Sequence, residues 1–213
     1  MPRIVGGRHR GRTLQAPEGR AVIRPTSERA REALFDILGH RDLRGDGEAA
    51  VRDRHVADLC CGIGALGLEA LSRGAASAVF IDRDRASVAI ARANAAKLGE
   101  ERNCRFAAAD LGRPETVAAA LRSDRPFDLV LLDPPYDAPT VAEAILAGLV
   151  RSGRLASPAL VTVELARGTD IVLPEALRLL DRRRYGKADL LILGHEVGDE
   201  NEDQDAGDLG TAD

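Results

Sequence analysis

The chain has 213 residues, of which 45% are hydrophobic and 30% charged, with a formal net charge of -4. That is enough apolar material for one large domain, while charges interrupt every apolar run well short of the ~20 residues a membrane helix needs. The first residues, MPRIVGGRHRGR, lack the apolar centre of a signal peptide, so a soluble cytoplasmic protein is expected.

Cys60, Cys61 and Cys104 offer neither a disulfide framework nor the C-x-x-C pairs of a zinc site. The four histidines, His9, His40, His55 and His195, show no ligand spacing. Reduced thiols and no metal are therefore expected. The net charge hides an asymmetry: residues 196–213 hold eight of the 34 acids and no Lys or Arg, so residues 1–195 carry 30 minus 26, or +4. Residues 1–31 alone contain eight arginines (Arg3, Arg8, Arg10, Arg12, Arg20, Arg24, Arg29 and Arg31) against Glu18 and Glu28. Such a cluster suits a polyanion, and Arg8, Arg10, Arg12 and Arg24 are its candidate RNA-binding residues. A solvated basic terminus is the plainer reading of the same residues.

Along the chain, residues 1–23 read as a small strand-and-turn appendage, with Gly6, Gly7 and Gly11 as turn signals. Thr26 or Ser27 can cap a helix whose buried face is Ala30, Ala33, Leu34, Ile37 and Leu38. Strands are predicted near 55–59, 78–81, 104–108, 127–132 and 159–165, with helices near 65–73, 85–98, 115–122 and 140–151 between them. This alternation is that of β-α-β units, an α/β fold with a parallel sheet. LRLLDRRRYGKADLLILG then suggests two strands turning at Tyr185-Gly186, an antiparallel hairpin on the sheet edge. Residues 24–195 form the main domain in this reading, and 196–213 an acidic tail too poor in apolar residues to fold.

The first strand leads into DLCCGIGALG, where Gly62, Gly64 and Gly67 satisfy G-x-G-x-x-G. The pattern marks a close backbone approach to a ligand at a helix N-terminus, and NAD and S-adenosylmethionine both satisfy it. Asp82, at the end of the second strand, suits the ribose diol of either. Asp58 separates them. A carboxylate four residues before the first glycine would repel a dinucleotide's phosphates, whereas S-adenosylmethionine brings an α-ammonium and a sulfonium. Asp110, after the third strand, is placed to accept from an adenine amino group. Turn formation, pairing with Arg83 or Arg85, and helix capping are the structural alternatives for Asp58, Asp82 and Asp110.

The fourth strand runs straight into Asp133, Pro134, Pro135 and Tyr136. An exocyclic base amine is a poor nucleophile because its lone pair is delocalised into the ring, so acceptors must draw its N–H bonds aside and aim the lone pair at the carbon to be attacked. Asp133 offers a carboxylate, the two prolines a stiff backbone with carbonyls and no N–H, and Tyr136 a flat face for stacking. A base-amine methyltransferase acting on an unpaired or flipped nucleotide is what these residues suit. The turn-forming habit of Asp-Pro is the alternative.

In this order, RIVGGRHRGRTL, RPTSERAREALFDIL, DLCCGIGALGLEALSRGA and LLDPPY resemble the RsmD family of bacterial 16S rRNA guanine-N2 methyltransferases, from Arg3 to about Leu193. The resemblance implies a class I methyltransferase fold with a Rossmann-like seven-stranded sheet, S-adenosylmethionine as cofactor, and 16S rRNA or the assembling small ribosomal subunit as partner; a monomer is expected, though the sequence does not fix the oligomeric state. It maps Asp58, Gly62 and Gly64 to the donor loop, which Cys60 serves through its backbone, Asp82 to the ribose, Asp133 to Tyr136 to the target amine, and Arg24, Pro25 and Thr26 to a segment beside the donor. The family usually has an aromatic residue and alanine at Cys60 and Cys61, serine at Ile63 and aspartate at Glu28. The adenine-N6 amine of DNA or another RNA is the alternative target.

Overall fold

The computed structural model describes residues 1–17, 28–45, 47, 49–121, 123–136 and 139–196. Thr26 and Ser27, offered as helix caps, and residues 197–213 of the acidic tail lie outside them. The first helix, α1, is Glu28–His40; strands β1 to β4 are His55–Leu59, Ser77–Asp82, Cys104–Ala108 and Phe127–Leu132. Between them run α2 (Ala65–Ser72), α3 (Arg85–Leu98) and α4 (Pro114–Ala120). Helix α5 (Pro139–Arg151) and strands β5 (Leu155–Ala166), β6 (Leu177–Tyr185) and β7 (Ala188–His195) complete the order.

The strands form one seven-stranded sheet in the order β3-β2-β1-β4-β5-β7-β6. β1 to β5 pair in parallel, and β7 runs antiparallel to both β5 and β6. The predicted hairpin is therefore present. The parallel strands are apolar on both faces because helices cover both: Leu129 and Leu131 face a cluster that includes α1, α2 and α3, while Val130 and Leu132 face α4 and α5.

Order reverses between β1 and β4, which are direct neighbours although two β-α units separate them in sequence. Ligands in open α/β sheets bind in the crevice at such a reversal, outside the carboxyl ends of the strands. The register brings these ends level: Leu59 pairs with both Ile81 and Leu132, and Asp82 pairs with Ala108.

One feature departs from the sequence expectations. The buried face of α1 is Ala30, Arg31, Leu34, Phe35 and Leu38, with Ala33 and Ile37 only partly buried. The face is rotated because Arg31, fully buried, reaches Glu69 of α2, also fully buried (Nε to Oε2, 3.5 Å), and donates to the Arg3 carbonyl. Arg31 is therefore unavailable to a polyanion. The N-terminal segment, in turn, is anchored to the main sheet layer. Arg3 pairs with Thr13, Ile4 and Leu14 are buried in the cluster containing α1 and α2, and the Val5 N–H donates to Glu69 Oε2 at 2.8 Å.

Candidate active site

The turn after β1 has a backbone that ordinary side chains resist. Cys60 (φ 60°), Gly62 (φ 52°) and Gly64 (φ 81°) all lie in the left-handed region, which glycine enters freely and other residues at a cost of order 1 kcal/mol or more. A Cβ on Gly62 would meet nothing within 4 Å, so this side of the loop is open. Gly67 has a different role: a Cβ there would come within 2.4 Å of Phe80, so its absence lets α2 pack on the sheet.

Hydrogen bonds hold the loop. The Cys61 N–H donates to the Ile81 carbonyl at 3.0 Å and the Gly64 N–H to the Cys61 carbonyl at 2.8 Å. Asp82 takes the Gly62 N–H on Oδ2 (2.8 Å) and the Asp84 N–H on Oδ1 (2.9 Å). It braces the loop, rather than pairing with Arg83 or Arg85, and a carboxylate with about four lone-pair sites retains room for a ligand hydroxyl. Asn94 of α3 donates to the Ile63 carbonyl at 3.1 Å and exchanges hydrogen bonds with Gln15, which ties the N-terminal segment to this loop.

Asp58 lies beneath the loop, 1% exposed, with Oδ2 accepting the Gly67 N–H at 2.8 Å and Oδ1 buried with no hydrogen-bond partner among the described residues. Burial pushes its carboxyl well above the ordinary 3.8; the Gly67 N–H pulls back, while Asp133 and Asp82 push it further. The register sets the three acids at neighbouring strand ends, since Leu59, next to Asp58, pairs with both Ile81, next to Asp82, and Leu132, next to Asp133. A buried acid with an unsatisfied oxygen fits a cationic ligand group at the open side of the loop, and disfavours phosphate. Burial and the same three acids push the Cys60 thiol up to about 12, so it is no thiolate nucleophile at neutral pH. No cluster of three or more potential metal ligands occurs among the described residues.

Asp133 begins where β4 leaves the sheet, its N–H 3.4 Å from the Leu59 carbonyl. Pro134 is buried, Pro135 is exposed and Tyr136 is partly buried. The Tyr136 hydroxyl donates to Glu164 Oε1 on β5, a partner the sequence reading missed. The signal was present: Glu164 is the lone acid of β5 and interrupts its apolar run.

The other expected residues are more scattered. Asp110 is exposed just beyond β3, where its Oδ1 accepts the Gly112 N–H at 3.0 Å and its carbonyl accepts the Thr116 hydroxyl. Thr26, Arg20 and Arg24 lie outside the described residues. Arg8 is ion-paired to Glu100 (2.6 Å), Arg12 donates to the Lys97 carbonyl (3.2 Å), and Arg10 is exposed. Arg8 and Arg12 thus spend part of their donor capacity within the protein.

The chain is similar to several known proteins. The family described as conserved hypothetical protein 95 matches residues 2–194. The ribosomal RNA small subunit methyltransferase D of Escherichia coli is 36% identical over 162 residues, covering 76% of this chain and 73% of that protein. An uncharacterized methylase of Rickettsia prowazekii is 25% identical over 232 residues, or 91% of this chain and 97% of its own. The solved structure of yhhF from Escherichia coli superposes with a TM-score of 0.74 at 32% identity, covering 92% of this chain and 98% of that one.

Proposed function

The chain belongs to the RsmD family, described as conserved hypothetical protein 95, and on that premise we propose that it methylates the exocyclic N2 amine of a guanine in 16S rRNA, using S-adenosylmethionine. The observation that carries this reading is the convergence of Asp58, the glycine loop, Asp82 and Asp133 at the carboxyl ends of β1, β2 and β4. The partner is 16S rRNA or the assembling small ribosomal subunit, met by a monomer. No described helix is long and apolar enough to cross a membrane.

Bound S-adenosylmethionine supplies an electrophilic methyl carbon on a sulfonium. Asp58 and the open side of Gly62 receive its amino-acid end, and Asp82 accepts from its ribose hydroxyls. Asp110, beyond the next strand, would accept from the adenine amino group, with Cys60 as a further wall residue; Thr26, the other donor-site candidate, lies outside the described residues. Asp133 and the Pro134 carbonyl accept the two N2–H bonds of the target guanine, which turns the amine lone pair toward the methyl carbon. Asp133 would also hold the proton that N2 gives up on methylation. Tyr136 stacks on the base, a contact worth about 1 to 3 kcal/mol in single-strand sites. Arg8, Arg10 and Arg12 meet the RNA backbone in this reading, with phosphate contacts that orient rather than specify, and Arg24 lies outside the described residues.

The direct test is transfer of a labelled methyl group to 16S rRNA, free or in small subunits, with 23S rRNA and DNA as competitors. Label should enter 16S rRNA; label in DNA alone would favour the adenine-N6 alternative and overturn the assignment.

Donor binding should depend on Asp58 and on pH. Its folded-state carboxyl is raised, so the native protein holds a proton that the unfolded chain has released above about pH 3.8, and this group's contribution to stability falls as pH rises above that value. A cationic ligand favours the ionised form, so affinity for S-adenosylhomocysteine should rise with pH and binding should release protons. Asp58→Asn should weaken binding by about 10- to 100-fold, the worth of a charge-assisted hydrogen bond, and abolish the proton release. Calorimetry in buffers of different ionisation enthalpy checks this; pH-independent affinity with no proton release in the native protein would contradict it.

A further inference from the structure

β4 ends at Leu132, paired with Val163, while β5 continues through Glu164 to Ala166 alongside β7. Extending the register by one rung sets Glu164 next to Asp133, and residues on one rung of a parallel pair project to the same face, with strands about 4.8 Å apart. Glu164 is 8% exposed and lines a hollow with Ala30, Leu34, Tyr185, Ala188 and Leu190. Its side chain accepts one hydrogen bond among the described residues, from the Tyr136 hydroxyl. A carboxylate has about four lone-pair sites, and an acid in an apolar wall is costly unless they are used.

Resting on the base-amine reading above, we propose that Glu164 selects guanine over adenine by accepting the N1–H of the target base while Asp133 holds its exocyclic amine. Guanine presents N1–H and N2–H₂ side by side, two adjacent donors. Adenine presents a lone pair at N1 beside its N6 amine. Acceptors on neighbouring rungs, Asp133 and Glu164, complement the first pattern and oppose the second. Tyr136 fits the same arrangement: its ring lies under the base, its hydroxyl occupies one Glu164 oxygen, and the other oxygen serves the base stacked above. Glu164 is then the residue that reads the Watson–Crick edge.

The test replaces the methylated guanine with 2-aminopurine, which keeps the 2-amino group and has a lone pair at N1. The nucleotide is placed in 16S rRNA by ligation and assayed both free and reconstituted into small subunits. Wild-type protein should prefer guanine by on the order of 100-fold in kcat/KM. Glu164→Gln, whose amide can donate to the N1 lone pair, should narrow that ratio by about tenfold or more. Tyr136→Phe removes the hydroxyl and retains the carboxylate, so it should slow both substrates and keep the ratio within about threefold. If Glu164 merely held Tyr136 in place, Glu164→Gln would slow both substrates equally, and an unchanged ratio would overturn this proposal alone. Failure of the wild-type protein to methylate guanine in either form of the RNA would overturn the functional reading with it.

Discussion

Replacing Asp133 with alanine should lower methyl transfer by about 10³-fold or more while leaving affinity for S-adenosylhomocysteine within about threefold. The asymmetry follows from position. Asp133 follows the end of β4, whereas the loop after β1 is held by Asp82 and by Cys61. Alanine removes the acceptor that orients the amine and takes its proton, and leaves these loop contacts in place. It also removes a negative charge that pushes up the Asp58 carboxyl, so donor binding has no reason to weaken. Asp133→Asn retains one acceptor and should fall between the alanine variant and the wild type. Single-turnover assays with saturating donor give the comparison, and a rate for Asp133→Ala within tenfold of wild type would remove Asp133 from the chemistry.

Glu69→Ala should cost about 3 to 5 kcal/mol of stability, seen as a fall in Tm of about 10 °C or more. Glu69 is fully buried on α2 and accepts from the Val5 N–H (2.8 Å) and from Arg73 Nε (2.9 Å), with Arg31 Nε at 3.5 Å. Its removal leaves the buried Arg31 guanidinium without its carboxylate. Burial already lowers the pKa of Arg31, with Glu69 opposing that shift. The same change unpins Val5, so proteolysis within the N-terminal segment should accelerate. Adding Arg31→Met to the variant removes the uncompensated charge and should recover part of the loss. Thermal unfolding followed by circular dichroism decides it, and a Tm change below 2 °C would show that the pair contributes little.

These two sites differ in how far the chain alone reveals them. The position of Asp133 at a strand end is legible because the apolar run from Leu129 to Leu132 ends in an acid and two prolines. β1, β3, β4 and α3 are equally legible: the strands are short apolar runs, and α3 is bracketed by Asp84, which accepts from the Ala86 and Ser87 N–H groups, and by Gly99 in the left-handed conformation. The strand β5 begins at Leu155, before the predicted start, because Pro158 argues against a strand. The sheet admits it at an irregularity: β4 pairs Phe127 with Leu155 and then Leu129 with Leu160, so Pro158 falls where the register shifts.

Arg31 and Glu164 were not legible in this way. A charged residue in a helix reads as solvent-facing until its partner is known, and Glu69 lies on another helix. Glu164 stands out only as an acid among apolar residues; its nearness to Tyr136 depends on β5 lying beside β4, which periodicity cannot supply. For the arginine cluster, composition counts charges without showing their partners. Arg8 and Arg31 are already paired with Glu100 and Glu69.

The central claim, that the crevice between β1 and β4 aligns a guanine amine with an electrophilic methyl carbon, is tested most directly by the chemical identity of the product. Unmodified 16S rRNA, free and as small subunits, would be incubated with the protein and S-adenosylmethionine, digested to nucleosides and analysed by mass spectrometry. N2-methylguanosine should appear with wild-type protein and be absent with Asp133→Ala. A product methylated on adenine N6, on a ring carbon or on ribose, or N2-methylguanosine formed equally by both proteins, would contradict it.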